Sequence, residues 1–122
     1  MKRLSVLVVE DHPDTREMLT ALLTDCGYDV TPAKDGAIAW QLLETMQPDL
    51  IVTDLTMPHI SGFELIRHIR DLAEFRHIPV VAISAFGGEC LSDAQKAGAT
   101  CTLRKPFDAE NLTGLINTAL AA

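Results

Sequence analysis

Acidic, hydroxyl and amine side chains fall just past separate apolar runs in this chain. Glu10-Asp11 follows Leu4–Val9, Asp54 follows Leu50–Thr53, Ser84 follows Val80–Ile83, and Lys105 follows Cys101–Leu103. If each run is a parallel strand, all of these side chains meet at the carboxyl edge of one sheet, where open α/β folds bind ligands. Two unit charges about 4 Å apart repel by about 4 kcal/mol at an effective dielectric of ~20. An acidic cluster of this kind must protonate, pair with a cation or bind a metal. Lys105 offsets one charge, and hard oxygen ligands at a solvent-facing rim favour Mg²⁺. Asp54 is then the candidate nucleophile, because a carboxylate can take a phosphoryl group as an acyl phosphate. Mg²⁺, the Lys105 ammonium and the Ser84 hydroxyl would each neutralise one phosphoryl oxygen.

Each residue also has a plainer reading. Glu10 and Asp11 suit a helix start, where acids cap exposed N–H groups and meet the positive end of the helix dipole. Ser84 can bond backbone at a strand end, Lys105 can snorkel to the surface, and the acids can form a structural salt-bridge cluster. Only their joint placement favours chemistry.

The elements that must position these residues alternate along the chain. Leu19, Leu22, Leu23 and Cys26 mark one helical face, and Ala39, Leu42, Leu43 and Met46 another. Leu65, Ile66, Ile69 and Leu72 mark a third, and Leu112, Leu115, Ile116 and Ala119 the last. A weaker helix is read over Glu89–Ala97 around Leu91 and Ala94. The intervening runs of Val, Ile and Leu lack alternation, as strands covered on both faces do. Tyr28–Thr31 reads as an edge strand ending before Pro32. Five strands and five helices in strict alternation predict a parallel sheet with helices on both faces and right-handed crossovers. Pro13 suits a first helical turn, Gly27 a helix end, and Pro48 and Pro79 strand entries.

The 122 residues suffice for one domain with its own core, with 48% hydrophobic and 22% charged residues. A net charge of −7 speaks against nucleic-acid binding through phosphate neutralisation. Cys26, Cys90 and Cys101 are scattered without metal-ligand spacing and read as small buried hydrophobes in a reducing compartment. The Met1-Lys2-Arg3 start, followed by Glu10 and Asp11, does not read as a signal peptide, and no run reaches the ~20 apolar residues of a membrane span. A cytoplasmic chain without a membrane partner is expected. His12 reads as a solvated loop histidine, His59, His68 and His77 show no ligand spacing, and Trp40 packs on or near the surface.

The motifs Val8-Val9-Glu10-Asp11, Asp54-Leu55-Thr56-Met57-Pro58 with Gly62, Ser84-Ala85 and Lys105-Pro106-Phe107 resemble, in order and over essentially the whole chain, the receiver domain of two-component response regulators. That resemblance implies a flavodoxin-like (βα)5 fold with a five-stranded parallel sheet of order 2-1-3-4-5. It implies that Asp54 accepts phosphate from a phosphohistidine on a histidine kinase or histidine phosphotransfer protein. By position, Asp11, Asp54 and the Thr56 backbone carbonyl would ligate Mg²⁺, with Glu10 acting through a water. Lys105-Pro106 resembles the family's cis peptide, Ala85 the small residue that leaves the site open, and Thr56 and Phe86 positions that tune hydrolysis. A receiver assists its own phosphorylation and slow dephosphorylation without being an enzyme. The changed surface over Glu89–Ala119 would control a downstream protein or a covalently linked output domain.

The chain departs from the family at Thr102, where an aromatic ring usually serves the switch. The sequence-based expectation is that phosphorylation is relayed mainly through the loop Ala85–Glu89, with Gly87-Gly88 giving mobility. Two other classes remain. An aspartyl-phosphate phosphatase of haloacid-dehalogenase type needs a second Asp two residues after the nucleophile, where Thr56 stands. A pseudo-receiver used only for protein binding usually lacks part of the acidic set, which is complete here. A receiver belonging to a hybrid kinase or multidomain regulator would carry the same residues.

Overall fold

The computed structural model describes residues 3–57, 60–86 and 89–121. The expectations placed on Met1-Lys2, Pro58, His59 and Gly87-Gly88 lie outside these residues. The elements run β1 (Ser5–Val9), α1 (Pro13–Asp25), β2 (Asp29–Ala33), α2 (Gly36–Leu42), β3 (Leu50–Asp54), α3 (Gly62–Asp71), a 3-10 turn (Ala73–Phe75), β4 (Val80–Ser84), α4 (Glu89–Ala97), β5 (Cys101–Arg104) and α5 (Ala109–Ala121). All strand pairs are parallel and the order is β2-β1-β3-β4-β5, as the sequence reading expects.

The lack of alternation in the strands has a direct cause. Leu7 and Val9 of β1 join one core layer, with Leu65, Ile66 and Ile69 of α3 and Ala94 of α4. Val6 and Val8 join the other, with Leu19 and Leu23 of α1 and Leu112 and Ile116 of α5. Both faces are buried, so every position of β3 and β4 is buried. β5 differs: at the edge, it is only half-buried.

The helix boundaries follow local chemistry. Pro13 occupies the first turn of α1, and Gly27 just beyond that helix has φ +96°. α3 opens with a reciprocal Ser61–Glu64 capping box. α2 is shorter than its apolar spacing suggests, because it closes in a tight turn with Glu44 and Thr45 donating to the Gln41 and Leu42 carbonyls. Met46 lies beyond the helix but still packs on the same core layer. Leu72 likewise leaves the helical conformation, at φ −90° and ψ 120°.

Two further expectations are corrected. Pro32 lies inside β2, opposite Val8, rather than ending the strand. Asp29 N–H and the Ala33 carbonyl bond toward β1, so the alternate residue Pro32 faces outward, where a missing N–H costs the sheet nothing. The cysteines are not uniformly buried: Cys26 caps α1 and is exposed, while Cys90 and Cys101 are half-buried.

Arg70 closes the amino-terminal rim of the sheet. Its guanidinium donates to the carbonyls of Gly98 (2.9 Å), Arg76 (2.9 Å) and Ile78 (2.7 Å), tying α3 to the ends of α4 and the loop before β4. Among the described residues no helix is long and apolar enough to cross a membrane.

Candidate functional site

β1 delivers the first acids. Glu10 N–H donates to the Ala33 carbonyl, which extends the sheet bond one residue past the strand and buries Glu10 to 1% exposure. Asp11 is exposed at the rim. Neither acid caps α1: His12 is the N-cap, and its Nδ1 accepts from Thr15 N–H at 3.4 Å. Arg16 in α1 donates to the Glu10 carbonyl at 3.0 Å and fixes the backbone of the acidic pair.

Asp54 is the last residue of β3 and is 7% exposed. The next residue, Leu55, donates to the Ile83 carbonyl at 3.0 Å, so the strand is held on the β4 side to its end. Gly62 N–H donates to the Leu55 carbonyl, and a Cβ at Gly62 would collide with the Asp54 carbonyl oxygen and lie 2.7 Å from Leu55 Cα. Only glycine lets the start of α3 come this close to Asp54. Thr56 N–H reaches Asp54 Oδ1 at 3.5 Å.

Lys105 follows β5, its N–H donating to the Ser84 carbonyl at 2.7 Å, and the Lys105–Pro106 peptide is cis. Its ammonium stands 2.8 Å from Glu10 Oε1 and 3.5 Å from Asp54 Oδ2. Burial draws the Lys105 pKa down, but the Glu10 hydrogen bond and the negative charges of Asp54 and Glu10 outweigh it and hold the pKa above the usual lysine value.

One carboxylate oxygen from each of Glu10, Asp11 and Asp54 lies within 4.8 Å of the others. At that spacing each pair repels by about 3 kcal/mol at an effective dielectric of ~20. One ammonium among three carboxylates leaves an anionic, oxygen-rich rim, the donor chemistry that suits Mg²⁺.

The structure therefore brings Glu10, Asp11, Asp54 and Lys105 together, with Thr56 beside Asp54. Ser84 is fully buried, but its hydroxyl turns to the Phe86 N–H (2.9 Å) and Cys90 Sγ (3.4 Å) rather than to the carboxylates. Ala85 and Phe86 are exposed, Phe86 at 62%. Thr102 sits opposite Ala82 in β5 and is half-buried. Arg16 is not singled out by the sequence, and Cys90 reads there only as a small buried hydrophobe. Arg16 carries a faint signal, as a cation in the first turns of the helix that follows the acidic pair. Beside the site, Met18, Ala85, Pro106 and Phe107 line an open cavity of about 450 Å³.

The sequence matches the family model for the response regulator receiver domain over residues 6–117. This chain belongs to that family. It is similar to the response regulator Rre1 of Synechocystis, at 34% identity over 97% of this chain and 52% of that protein. Among solved structures it is similar to the chemotaxis response regulator CheY4 of Vibrio cholerae, with TM-score 0.92, 29% identity, and coverage of 97% of this chain and 99% of that one. It is also similar to the receiver domain of the sensor histidine kinase PA1611 of Pseudomonas aeruginosa, a structure with magnesium coordinated in the active site cleft. That match has TM-score 0.89 and 28% identity, and covers 99% of this chain and all (100%) of the other. Receiver domains act as phosphoacceptors in two-component systems, alongside histidine kinases and output domains. The chain spans about half the length of Rre1, so any activity of a longer protein is a separate matter.

Proposed function

We propose that residues 1–122 work as one receiver domain in which Asp54 is the phosphoacceptor. The observation that carries this is the placement of a nearly buried aspartate between two further carboxylates and one ammonium at the carboxyl edge of the sheet. A carboxylate oxygen of Asp54 attacks phosphorus, the bond to the donor breaks, and its electron pair leaves with the donor, a phosphohistidine imidazole of a histidine kinase or phosphotransfer protein. Lys105 is placed to neutralise charge on the transferring group while remaining bonded to Glu10. Asp11, Asp54 and the Thr56 carbonyl would hold Mg²⁺ directly, with Glu10 through a water. The bound ion would neutralise negative charge at the phosphoryl oxygens.

The chain is an acceptor rather than a turnover enzyme, and it acts in the cytoplasm. Ser84 and Thr102 stand at the switch positions, Ala85 leaves the phosphoryl site open, and Thr56 and Phe86 tune hydrolysis. The reading surface is α4-β5-α5, offered to a downstream protein or a covalently linked output domain. The name of the PA1611 protein and the half-length match to Rre1 make the linked arrangement the second reading.

Mass spectrometry after incubation with acetyl phosphate and Mg²⁺ tests the site. One phosphoryl group is expected on the wild type and none on Asp54→Asn. An adduct that survives that substitution would place the chemistry elsewhere.

A further inference from the structure

Ser84 ends β4 beside Ile83, the residue in register with Asp54, and its hydroxyl is fully buried. A serine hydroxyl has one proton and two lone pairs. Here one lone pair takes the Phe86 backbone N–H at 2.9 Å, and the Cys90 sulfur lies 3.4 Å away as the only side-chain partner found among the described residues. Cys90 stands in the first turn of α4 and is half-buried, so the contact joins the strand end directly to that helix. β5 offers no comparable contact, since Thr102 lies opposite Ala82, two residues away from the Ser84 register position. Ser84 has one proton, so a hydroxyl that donates to the thiol cannot at the same time donate to a phosphoryl oxygen on Asp54.

We infer that Cys90 is a positioning residue for the phosphoacceptor site: its thiol holds the Ser84 hydroxyl toward α4, in competition with a phosphoryl group on Asp54. The inference rests on the Asp54 reading. It makes one sulfur–oxygen contact the point where occupancy of the site reaches α4, and gives this chain a route that needs no ring at Thr102.

Beryllium fluoride with Mg²⁺, a non-covalent stand-in for the phosphoryl group, provides the test, with binding followed by fluorine NMR. Cys90→Ala frees the hydroxyl and is expected to bind about three-fold tighter than wild type, the scale of one weak hydrogen bond. Cys90→Ser restores a partner of greater strength and is expected to bind no tighter than wild type. In a Ser84→Ala background, Cys90→Ala is expected to change nothing. Unchanged or weaker binding by Cys90→Ala, or the same gain without the Ser84 hydroxyl, overturns the inference while leaving Asp54 as acceptor. Wild-type protein that binds no beryllium fluoride overturns both. Should Cys90→Ala lose its fold by circular dichroism, Cys90→Val decides in its place, with the same gain expected and unchanged or weaker binding refuting the role.

Discussion

Lys105 brings one ammonium to two acids, and the balance of forces on it is measurable. Its proton is held more tightly in the folded chain than in the unfolded one. Such a group stabilises the fold in full below the unfolded pKa, and the contribution is lost as pH rises through the higher folded value. Replacing it by Met leaves Glu10 buried without its cation. Urea unfolding of Lys105→Met at pH 7 is expected to show a loss of about 1–3 kcal/mol. Above the lysine range the gap to wild type should narrow, and a gap that persists there would point to packing. His12 is an exposed loop residue, as the sequence suggests, with one further role. His12 is the cap of α1, a role usually filled by Ser, Thr, Asp or Asn, so residue type argued against it.

At the scale of elements, Gly62 decides how near α3 stands to β3. Gly62→Ala forces backbone against backbone at Asp54 and Leu55, and is expected to cost about 2–3 kcal/mol and to slow acetyl-phosphate labelling. Normal labelling by a stable variant would show that the strand end can yield. On the outer side of α3, His68 packs on Trp40, with ring centroids 3.8 Å apart and a 47° tilt. Burial lowers the His68 pKa below 6.5, and the charge of Asp71 only partly opposes it. The folded chain therefore binds this proton less readily than the unfolded chain. Stability present above pH 6.5 is expected to fall as pH drops through the lowered folded value. Thermal melts should show a shallower slope for His68→Gln over that interval, and an identical slope would assign the titration elsewhere. The Arg70 anchor has no sequence signal, because it joins carbonyls far apart in the chain, and only the fold brings them to one guanidinium.

For the molecule as a whole, the repulsion among Glu10, Asp11 and Asp54 makes stability responsive to divalent ions. A ligand present at ten times its dissociation constant adds about 1.4 kcal/mol. Mg²⁺ should raise the melting temperature of wild type and do so far less for Asp11→Asn; equal gains would mean the ion acts at another place. The alternating architecture and the gathering of the acids were legible because parallel strands put their ends on one rim whatever the loops do. The strand order came from family resemblance, since periodicity does not say which strands are neighbours. The end of α2, the exposure of Cys26 and the turn of Ser84 toward Cys90 were not legible, because each is set by local turn and side-chain geometry that apolar periodicity does not encode.

Pro32 in β2 carries a consequence for life in a crowded solution. The outward side of that boundary strand lacks one hydrogen-bond donor where a strand from another molecule would need it. Unwanted stacking of sheets into aggregates is therefore discouraged on this flank. Pro32→Val should leave the native fold intact yet speed turbidity growth on mild heating.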